Sequence, residues 1–557
     1  MENKTIARKL RLLSQLMELH EVNPFKIKSI ANAAFNVDKF NGKIAGKTFE
    51  ELEKIQGIGK SVAAKVIELV QTGTMLELDE LIGSTPPGVV EMMGIKGIGA
   101  KKVATIWHEM NIETVGELFY ACNENRLIEA KGFGLKTQED IRKAIEFKMA
   151  STGKFLYAQV EPEADKITQK LKDTFTNILF EFAGEYRRLC EVVNELIVVV
   201  GSRDCEMAFN TILTSDLVSE MKPEDGHIVG VTENGLKVII YVVEKRFYFQ
   251  TLFEKTGSEE HVKIVLERGG SGADQPENEE LIYRKAGLDF IRPEMREGDT
   301  FIEKAAGNKL PALISYNDLR GTLHNHSTWS DGVNSIEEMV TYCRDQLNLQ
   351  YLGLSDHSKS AFYAKGLSIE RVLQQHEEID HLNKKLEGFH VFKGIESDIL
   401  NDGSLDYPDE ILQRFDFVVA SIHSNLKMSE DKATERLIKA IENPFTTILG
   451  HPTGRLLLSR NGYPIDYKKV IDACAANGVV IEVNSNPLRL DLDWRWHQYT
   501  LDKGVWLSIN PDAHRNEGFL DMHYGVIVAR KGGLYKERCL NALSLEEITK
   551  FFKDKKK

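Results

Sequence analysis

The sequence predicts a multidomain chain with a helical front, a mixed α+β middle and an α/β barrel-like rear. Three observations carry that expectation. Apolar residues recur at helical spacing between short glycine turns through the first 150 positions, as in Leu10–Leu19, Val62–Val70 and Lys101–Met110. Strand-like runs enter afterwards, among them Leu196–Val200 and Leu236–Val243. Beyond Pro311, short apolar runs alternate with helical segments, the pattern of parallel strands joined by helices. At 557 residues the chain exceeds what a single hydrophobic core organises.

Composition narrows the function classes. With 42% hydrophobic and 28% charged residues the chain is globular rather than disordered or fibrous. A net charge of −13 excludes a protein that coats nucleic acid by bulk electrostatics, so any such contact must be local. Residues 1–150 hold 21 Lys+Arg against 20 Asp+Glu, the remainder 50 against 64, and the first 50 residues 9 against 5. Phosphate contact is therefore expected at the front. MENKTIARKL lacks the apolar stretch of a signal peptide, and no apolar run reaches the ~18 residues that span a bilayer, so a cytoplasmic monomer without membrane contact is expected. The six cysteines, Cys122, Cys190, Cys205, Cys343, Cys474 and Cys539, form no CxxC pair and are expected to be reduced thiols.

In the front, Gly57-Ile58-Gly59-Lys60 and Gly97-Ile98-Gly99-Ala100-Lys101 lie 40 residues apart, and Gly132-Phe133-Gly134 is a third variant. A GxG turn at a helix start presents bare backbone N–H groups that can meet a DNA phosphate without reading bases. One such turn is ordinarily just a turn. The repeat followed by lysine favours helix-hairpin-helix DNA binding through Gly57, Gly59, Lys60, Gly97, Gly99 and Lys101. Together with Asn23-Pro24-Phe25-Lys26-Ile27-Lys28, Ala31–Ala34 and the GFGLKT segment, these turns resemble the small domain (1–80) and fingers (81–150) of family X DNA polymerases. The resemblance implies a grip on gapped, nicked or 3′-recessed DNA, with Lys26 and Lys60 on phosphates. Lys65 falls where some members carry a Schiff-base lysine; a solvated helix face explains it equally well, and lyase chemistry is not expected.

The same resemblance implies a nucleotidyltransferase-like palm at 151–245 and a small thumb at 246–314, with Lys255–Ser258 and Ile291–Arg296 matching its later parts. Nucleotidyl transfer needs two divalent metals held by carboxylates, two of which the family places as Asp-x-Asp on one strand face. Here Glu195 and Ile197 occupy those positions, Ile239 the third, and Glu185 the place of a small serine that would face the triphosphate. A retained fold without magnesium ligands is expected, and polymerisation is expected to be lost. A shifted alignment would bring in Asp204 or Glu206 instead. Glu267–Glu280, rich in glycine and charge, reads as a loop.

Of 15 histidines, 11 lie beyond residue 320. His357, Glu396, His423 and His451 each follow an apolar strand-like run, and residues at the C-terminal ends of barrel strands converge on one face. His324-x-His326 and Asp512-x-His514 use the two-residue alternation of extended chain to aim both members one way. With Asp331 they form nine candidate ligands whose imidazole and carboxylate mixture suits Zn, Mn or Fe. His376, His381, His390, His497 and His523 read as ordinary surface or core residues. The motif segments from Asp318 to Ala542 closely resemble PHP phosphoesterases, which implies a distorted (β/α)7 barrel over 315–557 carrying up to three metals. By that resemblance His324, His326, Glu396 and Asp512 hold one metal and carry catalysis; Asp331, His357 and His514 hold a second; Glu396, His423 and His451 hold a third. Arg455, Arg489 and Arg530 are candidate phosphate clamps. The expected function is DNA repair by metal-dependent 3′–5′ exonucleolytic hydrolysis. The rivals are an active gap-filling polymerase with a proofreading PHP domain, a phosphatase of the histidinol-phosphate kind, and a DNA-binding scaffold.

Overall fold

Capping residues set the helices at the front of the chain. In the computed structural model, which describes residues 1–95, 97–150, 153–175, 178–269 and 275–556, Asn23 accepts a hydrogen bond from the Phe25 N–H at 2.9 Å and Pro24 opens the helix Pro24–Lys39. Thr48 with Glu51, and Thr114 with Glu117, close capping boxes on the helices Phe49–Glu53 and Val115–Asn123. The first helix, Asn3–Leu19, buries Ile6, Leu10, Leu13, Leu16 and Met17. The helix expected at Lys101–Met110 is regular over Ala100–Ala104 and widens into a π-helical turn over Thr105–Glu109.

The three GxG turns share one backbone. Gly57, Gly97 and Gly132 lie at φ +83°, +94° and +89°, a region open to glycine at no steric cost. Ile58 and Ile98 are buried beneath their turns. Gly59 then leads into the helix Lys60–Thr72, Gly99 into Ala100–Ala104, and Gly134 accepts from the Gln138 N–H at 2.9 Å in the helix Leu135–Ala150.

The chain divides into two units, Met1–Glu146 and Phe147–Lys557. In the second, β1 (Phe155–Leu156) pairs with β3 (Val192–Val193). A five-stranded sheet follows, ordered β2 (Leu179–Ala183), β4 (Glu195–Ser202), β7 (Lys237–Glu244), β6 (His227–Val231) and β5 (Ser219–Glu224). Only β4 and β7 run parallel; the other neighbours are antiparallel. The stretch Glu267–Glu280 is shorter as a loop than its composition suggests. The helix Glu259–Gly269 enters it and the helix Glu279–Lys285 leaves it, while residues 270–274 lie outside the described ones.

Seven parallel strands make the rear: β8 (Gly321–Thr322), β9 (Tyr351–Leu354), β10 (His390–Asp398), β11 (Phe417–Ser421), β12 (Ile448–Leu449), β13 (Val480–Asn484) and β14 (Leu507–Asn510). They lie in sequence order, and just past their ends Asn325 bridges Ala513 in parallel fashion, so the barrel is nearly closed. Leu323, Tyr351, Phe392, Phe417, Val419, Ile448 and Val480 form one apolar cluster, on which Phe552 of the helix Leu545–Lys555 stacks at 5.3 Å from Phe417. A Cβ at Gly394 would come within 2.3 Å of the Phe417 ring, so the large ring depends on that glycine.

Ion pairs tie the middle sheet region to the barrel. Lys531, 1% exposed, donates to Glu297 at 2.7 Å and to the Arg188 carbonyl at 3.0 Å. The Trp494 indole donates to Glu191 at 3.2 Å. Arg296, fully buried, donates to Glu279 at 2.5 Å, and Arg187 donates to the same carboxylate at 2.6 and 3.0 Å. Removing one partner of a buried pair leaves a desolvated charge. Glu279→Ala is therefore expected to destabilise the second unit by ~3–5 kcal/mol, read as a lower urea midpoint. A loss below about 1 kcal/mol, the range of exposed pairs, would contradict this reading.

Candidate metal centre and nucleic-acid surfaces

Two-residue alternation builds the centre. On β10 the face that carries Phe392 and Gly394 continues to Glu396 and Asp398; on β11, Phe417 and Val419 lead to Ser421 and then His423. On β13 and β14 the corresponding series are Val480, Glu482, Asn484 and Ser508, Asn510, Asp512. On β10, β11 and β14 the series changes from apolar or neutral to ionisable toward the C-terminal end, while on β13 Glu482 comes before the neutral Asn484. The nine predicted ligands meet there, all but His423 classed as buried.

Glu396 lies among the others. Its Oε1 is 3.1 Å from His324 Nε2, 3.2 Å from His423 Nε2 and 3.0 Å from His451 Nε2. Its Oε2 is 2.9 Å from His357 Nδ1 and 3.7 Å from His326 Nε2. Asp512 Oδ1 lies 3.0 Å from His326 Nε2 and 3.4 Å from His324 Nε2. Asp331 stands 3.5 Å from both His357 Nε2 and His514 Nε2.

Among these nine residues, four sets bring one ligand atom per residue within 4.8 Å of one another: His326, Asp331, His357, His514; His324, His451, Asp512; His324, His326, Glu396; and His357, Glu396, His423. The resemblance had the sets share Glu396 alone; here they also share His324, His326 and His357. His326 joins the group of Asp331 because its ring stacks on that of His514 at 4.2 Å, and His451 approaches His324 and Asp512 as well as Glu396.

The donor set fits divalent cations. Among the described residues, His324 Nε2, His326 Nδ1, Asp331 Oδ2, His357 Nδ1, Glu396 Oε2 and His451 Nδ1 are buried polar atoms without a hydrogen bond of acceptable geometry. Such atoms are costly unless something binds them. Burial opposes the charge of Glu396, yet His423, His324 and His357 outweigh it and hold the carboxyl well below the usual range. Asp331 is held down in the same way by His514 and His357, and Asp512 by His324 and His326. Burial also opposes a charge on His423, but Glu396 and Asp398 raise it to about 9. His326 is lowered to about 4, by burial first and then by His514 and His357.

Four supporting groups went unread in the sequence. Glu482, fully buried, lies 2.6 Å from His324 Nδ1 and accepts from Asn510, from Asn484 and from the His451 backbone N–H. Asp398 lies 2.5 Å from His423 Nδ1. Each orients an imidazole and turns its Nε2 toward Glu396. Asp356 accepts from the Ser327 and Ser330 N–H groups and from Gln375, fixing the His326–Asp331 loop. Asn484 also donates to Asp512 at 3.1 Å. A signal existed: Asp398 sits two residues past Glu396, the same spacing that marked the other pairs, and Glu482 interrupts an apolar strand.

The three candidate arginines are engaged within the fold. Arg530 lies on the helix Met522–Lys531, donating to Glu294 and the Ile314 carbonyl. Arg455 donates to Asp493 at 2.6 Å and to the Arg489 and Leu490 carbonyls. Their guanidinium groups are engaged in holding backbone, because these loops expose carbonyls that need donors. Arg489 is buried as well.

In the middle sheet, Ile197 pairs with Ile239 across the parallel β4–β7 ladder, so both stand side by side at the expected aspartate positions. Glu195 faces Lys237 at 3.3 Å, Glu185 accepts from the Asn194 backbone and side-chain nitrogens at 2.7 Å, and Asp204 caps the helix Cys205–Leu213. In the front unit Lys60 and Lys101 are exposed beside their turns, whereas Lys26 and Lys65 both pair with Glu77.

Comparison with known proteins accords with this geometry. Residues 1–75 match a helix-hairpin-helix domain and residues 89–146 a SAM-like helix-hairpin-helix tandem. The "DNA polymerase/3'-5' exonuclease PolX" of Bacillus subtilis is 33% identical over 573 residues, covering 99% of this chain and 100% of that protein. The chain belongs to the PolX family. Like this PolX-family chain in its barrel region, a "probable phosphatase" of Thermoanaerobacter is 30% identical over 186 residues, 32% of this chain and 73% of its own. Another from Acetivibrio thermocellus is 35% identical over 169 residues, 29% of this chain and 64% of its own.

Outer partners of metal ligands typically matter 10- to 100-fold for affinity, so Asp398→Asn and Glu482→Gln are each expected to weaken metal retention by roughly that factor while the fold persists. Metal titration with elemental analysis, alongside circular dichroism, is the check. Retention equal to the parent's would mean that the two carboxylates do not orient His423 and His324.

Proposed function

We propose that this chain is a DNA repair enzyme that holds the backbone of gapped, nicked or 3′-recessed DNA through its helix-hairpin-helix turns and hydrolyses phosphodiesters from a 3′ end at the barrel's metal centre. The observation that carries the proposal is the buried convergence of nine ligands at the strand ends, with both oxygens of Glu396 facing imidazoles. The exonuclease in the name of the Bacillus relative and the likeness to probable phosphatases support it.

Up to three divalent cations of Mn, Zn or Fe type would be held by His324, His326, Asp331, His357, Glu396, His423, His451, Asp512 and His514; when bound they would supply Lewis acidity toward phosphoryl oxygens and acidify water. The chain's own contribution is to fix those ligands in a largely buried site. Glu396 spans two groups of imidazoles, and Glu482, Asp398 and Asp356 hold rings and loop from behind. The domains act as expected from their boundaries: 1–80 and 81–150 on DNA, 151–245 and 246–314 as a support without nucleotidyl transfer, 315–557 as the hydrolase. Ile197 and Ile239 leave the middle sheet without the carboxylates that magnesium requires.

Three outcomes are expected. In a metal series, the full-length protein releases nucleotides stepwise from the 3′ end of a 5′-labelled strand, and Glu396→Ala lowers turnover and bound metal together by more than the ~100-fold of an outer partner. Undiminished hydrolysis by that variant, or none by the metal-loaded parent, would defeat the assignment. Primer extension on a gapped template with Mg or Mn gives no product; extension at a polymerase's ordinary rate, abolished by Glu195→Ala, would reverse the reading of the middle sheet. DNA affinity falls steeply with salt, and Lys60→Ala combined with Lys101→Ala lowers the log–log salt slope by about 2. An unchanged slope would remove those lysines from the interface.

A further inference from the structure

Five residues past His357 the chain makes a tight helical turn, Phe362–Ala364, whose two rings have different surroundings. Tyr363 is half-buried, its ring edge-on to that of His357 at 6.2 Å. Phe362 is 87% exposed, the highest exposure of any large apolar side chain among the described residues. A phenylalanine gains free energy from burial, so one displayed on a fixed mount beside a catalytic centre calls for an occupant.

The mount is fixed at several points. The Ser360 N–H donates to Asp406 at 2.7 Å and its hydroxyl to Asp398 at 2.6 Å, and Asp398 is also the partner of His423. The Leu367 N–H donates to the His357 carbonyl at 2.8 Å, and the Gly366 N–H to Ala361 at 3.0 Å. A Cβ on Gly366 would come within 1.9 Å of the Ser358 carbonyl, so the return of the loop is built for glycine. The position of Phe362 is thereby tied to the same groups that position His357 and His423.

The surrounding charge indicates which occupant fits. Lys359-Ser360-Ala361-Phe362-Tyr363-Ala364-Lys365 carries two exposed lysines and no carboxylate, in a portion of the chain where acids outnumber bases 64 to 50. Ala361 and Ala364 are buried, so Phe362 is the one exposed apolar side chain of this segment, with an exposed lysine on either side in sequence. A protein partner's hydrophobic face would find little area there. A nucleotide offers both a π-face for the ring and phosphates for nearby lysines, Lys359 already lying over the Tyr407 ring at 5.6 Å.

We propose that Phe362 is the platform on which the terminal nucleobase stacks while its phosphodiester lies at the metal centre, with Lys359 and Lys365 toward the strand's backbone. The assignment rests on the nuclease reading above. Because every base has a π-face, the contact is tolerant of sequence.

The test uses the full-length, manganese-loaded protein and 5′-labelled single strands whose 3′-terminal residue is either thymidine or its abasic tetrahydrofuran analogue. On the thymidine end, Phe362→Ala is expected to raise KM roughly 5- to 100-fold with kcat little changed, and Phe362→Trp to keep the parent's KM. On the abasic end the parent's advantage over Phe362→Ala disappears. A KM unchanged in Phe362→Ala, or the same loss on both ends, overturns the stacking role while leaving the nuclease assignment standing. A parent that releases nothing from either end overturns both.

Discussion

A carboxylate can be buried only where cations or donors surround it, and Glu396 imposes that condition on the barrel. It is 1% exposed, and imidazoles approach it from β8, β9, β11 and β12, whose C-terminal ends must therefore converge. That convergence determines the closure between Asn325 and Ala513, since His324, His326 and Asp512 flank the seam. The backbone is strained at the same place. His324, His451 and Asp512 have φ of 64°, 22° and 54°, a region that non-glycine residues enter at a cost and keep only when their surroundings require it.

The rings are held by a layer of acids and amides rather than by the apolar core. Glu482 joins β8, β12, β13 and β14 through His324, the His451 backbone, Asn484 and Asn510. Asp398 connects His423 to the loop that carries Phe362. Beneath them, Phe417 and its neighbours form a floor that keeps water from reaching the centre through the bottom of the barrel. Apolar floor, polar support and ionisable rim are one alternating pattern read along each strand.

The middle sheet offers a different relation between ancestry and use. Ile197 and Ile239 pair across β4 and β7, and the surrounding region is anchored to the barrel by Lys531–Glu297, Arg530–Glu294 and Trp494–Glu191. Lys531, buried on the barrel's side, reaches Glu297 and the Arg188 carbonyl and so links the two regions, while the buried Arg296 holds Glu279 within the region before the barrel.

Sequence alone determined the parts that depend on local periodicity. Apolar runs identified β4 and β7, two-residue spacing the pairs at 324/326 and 512/514, and the GxG turns were legible because their left-handed glycines have few substitutes. The convergence of the nine ionisable residues was legible as well, since imidazoles placed after apolar runs have few structural reasons to recur. Tertiary structure decided what depends on distance between strands. It showed that His326 is shared between groups, that Glu482 and Asp398 stand behind the rings, and that Arg455 and Arg530 are engaged within the fold. It also decided which aromatic side chain is displayed. In the sequence Phe362 and Tyr363 are equivalent neighbours, and only the packing of the turn leaves one against His357 and the other in solvent.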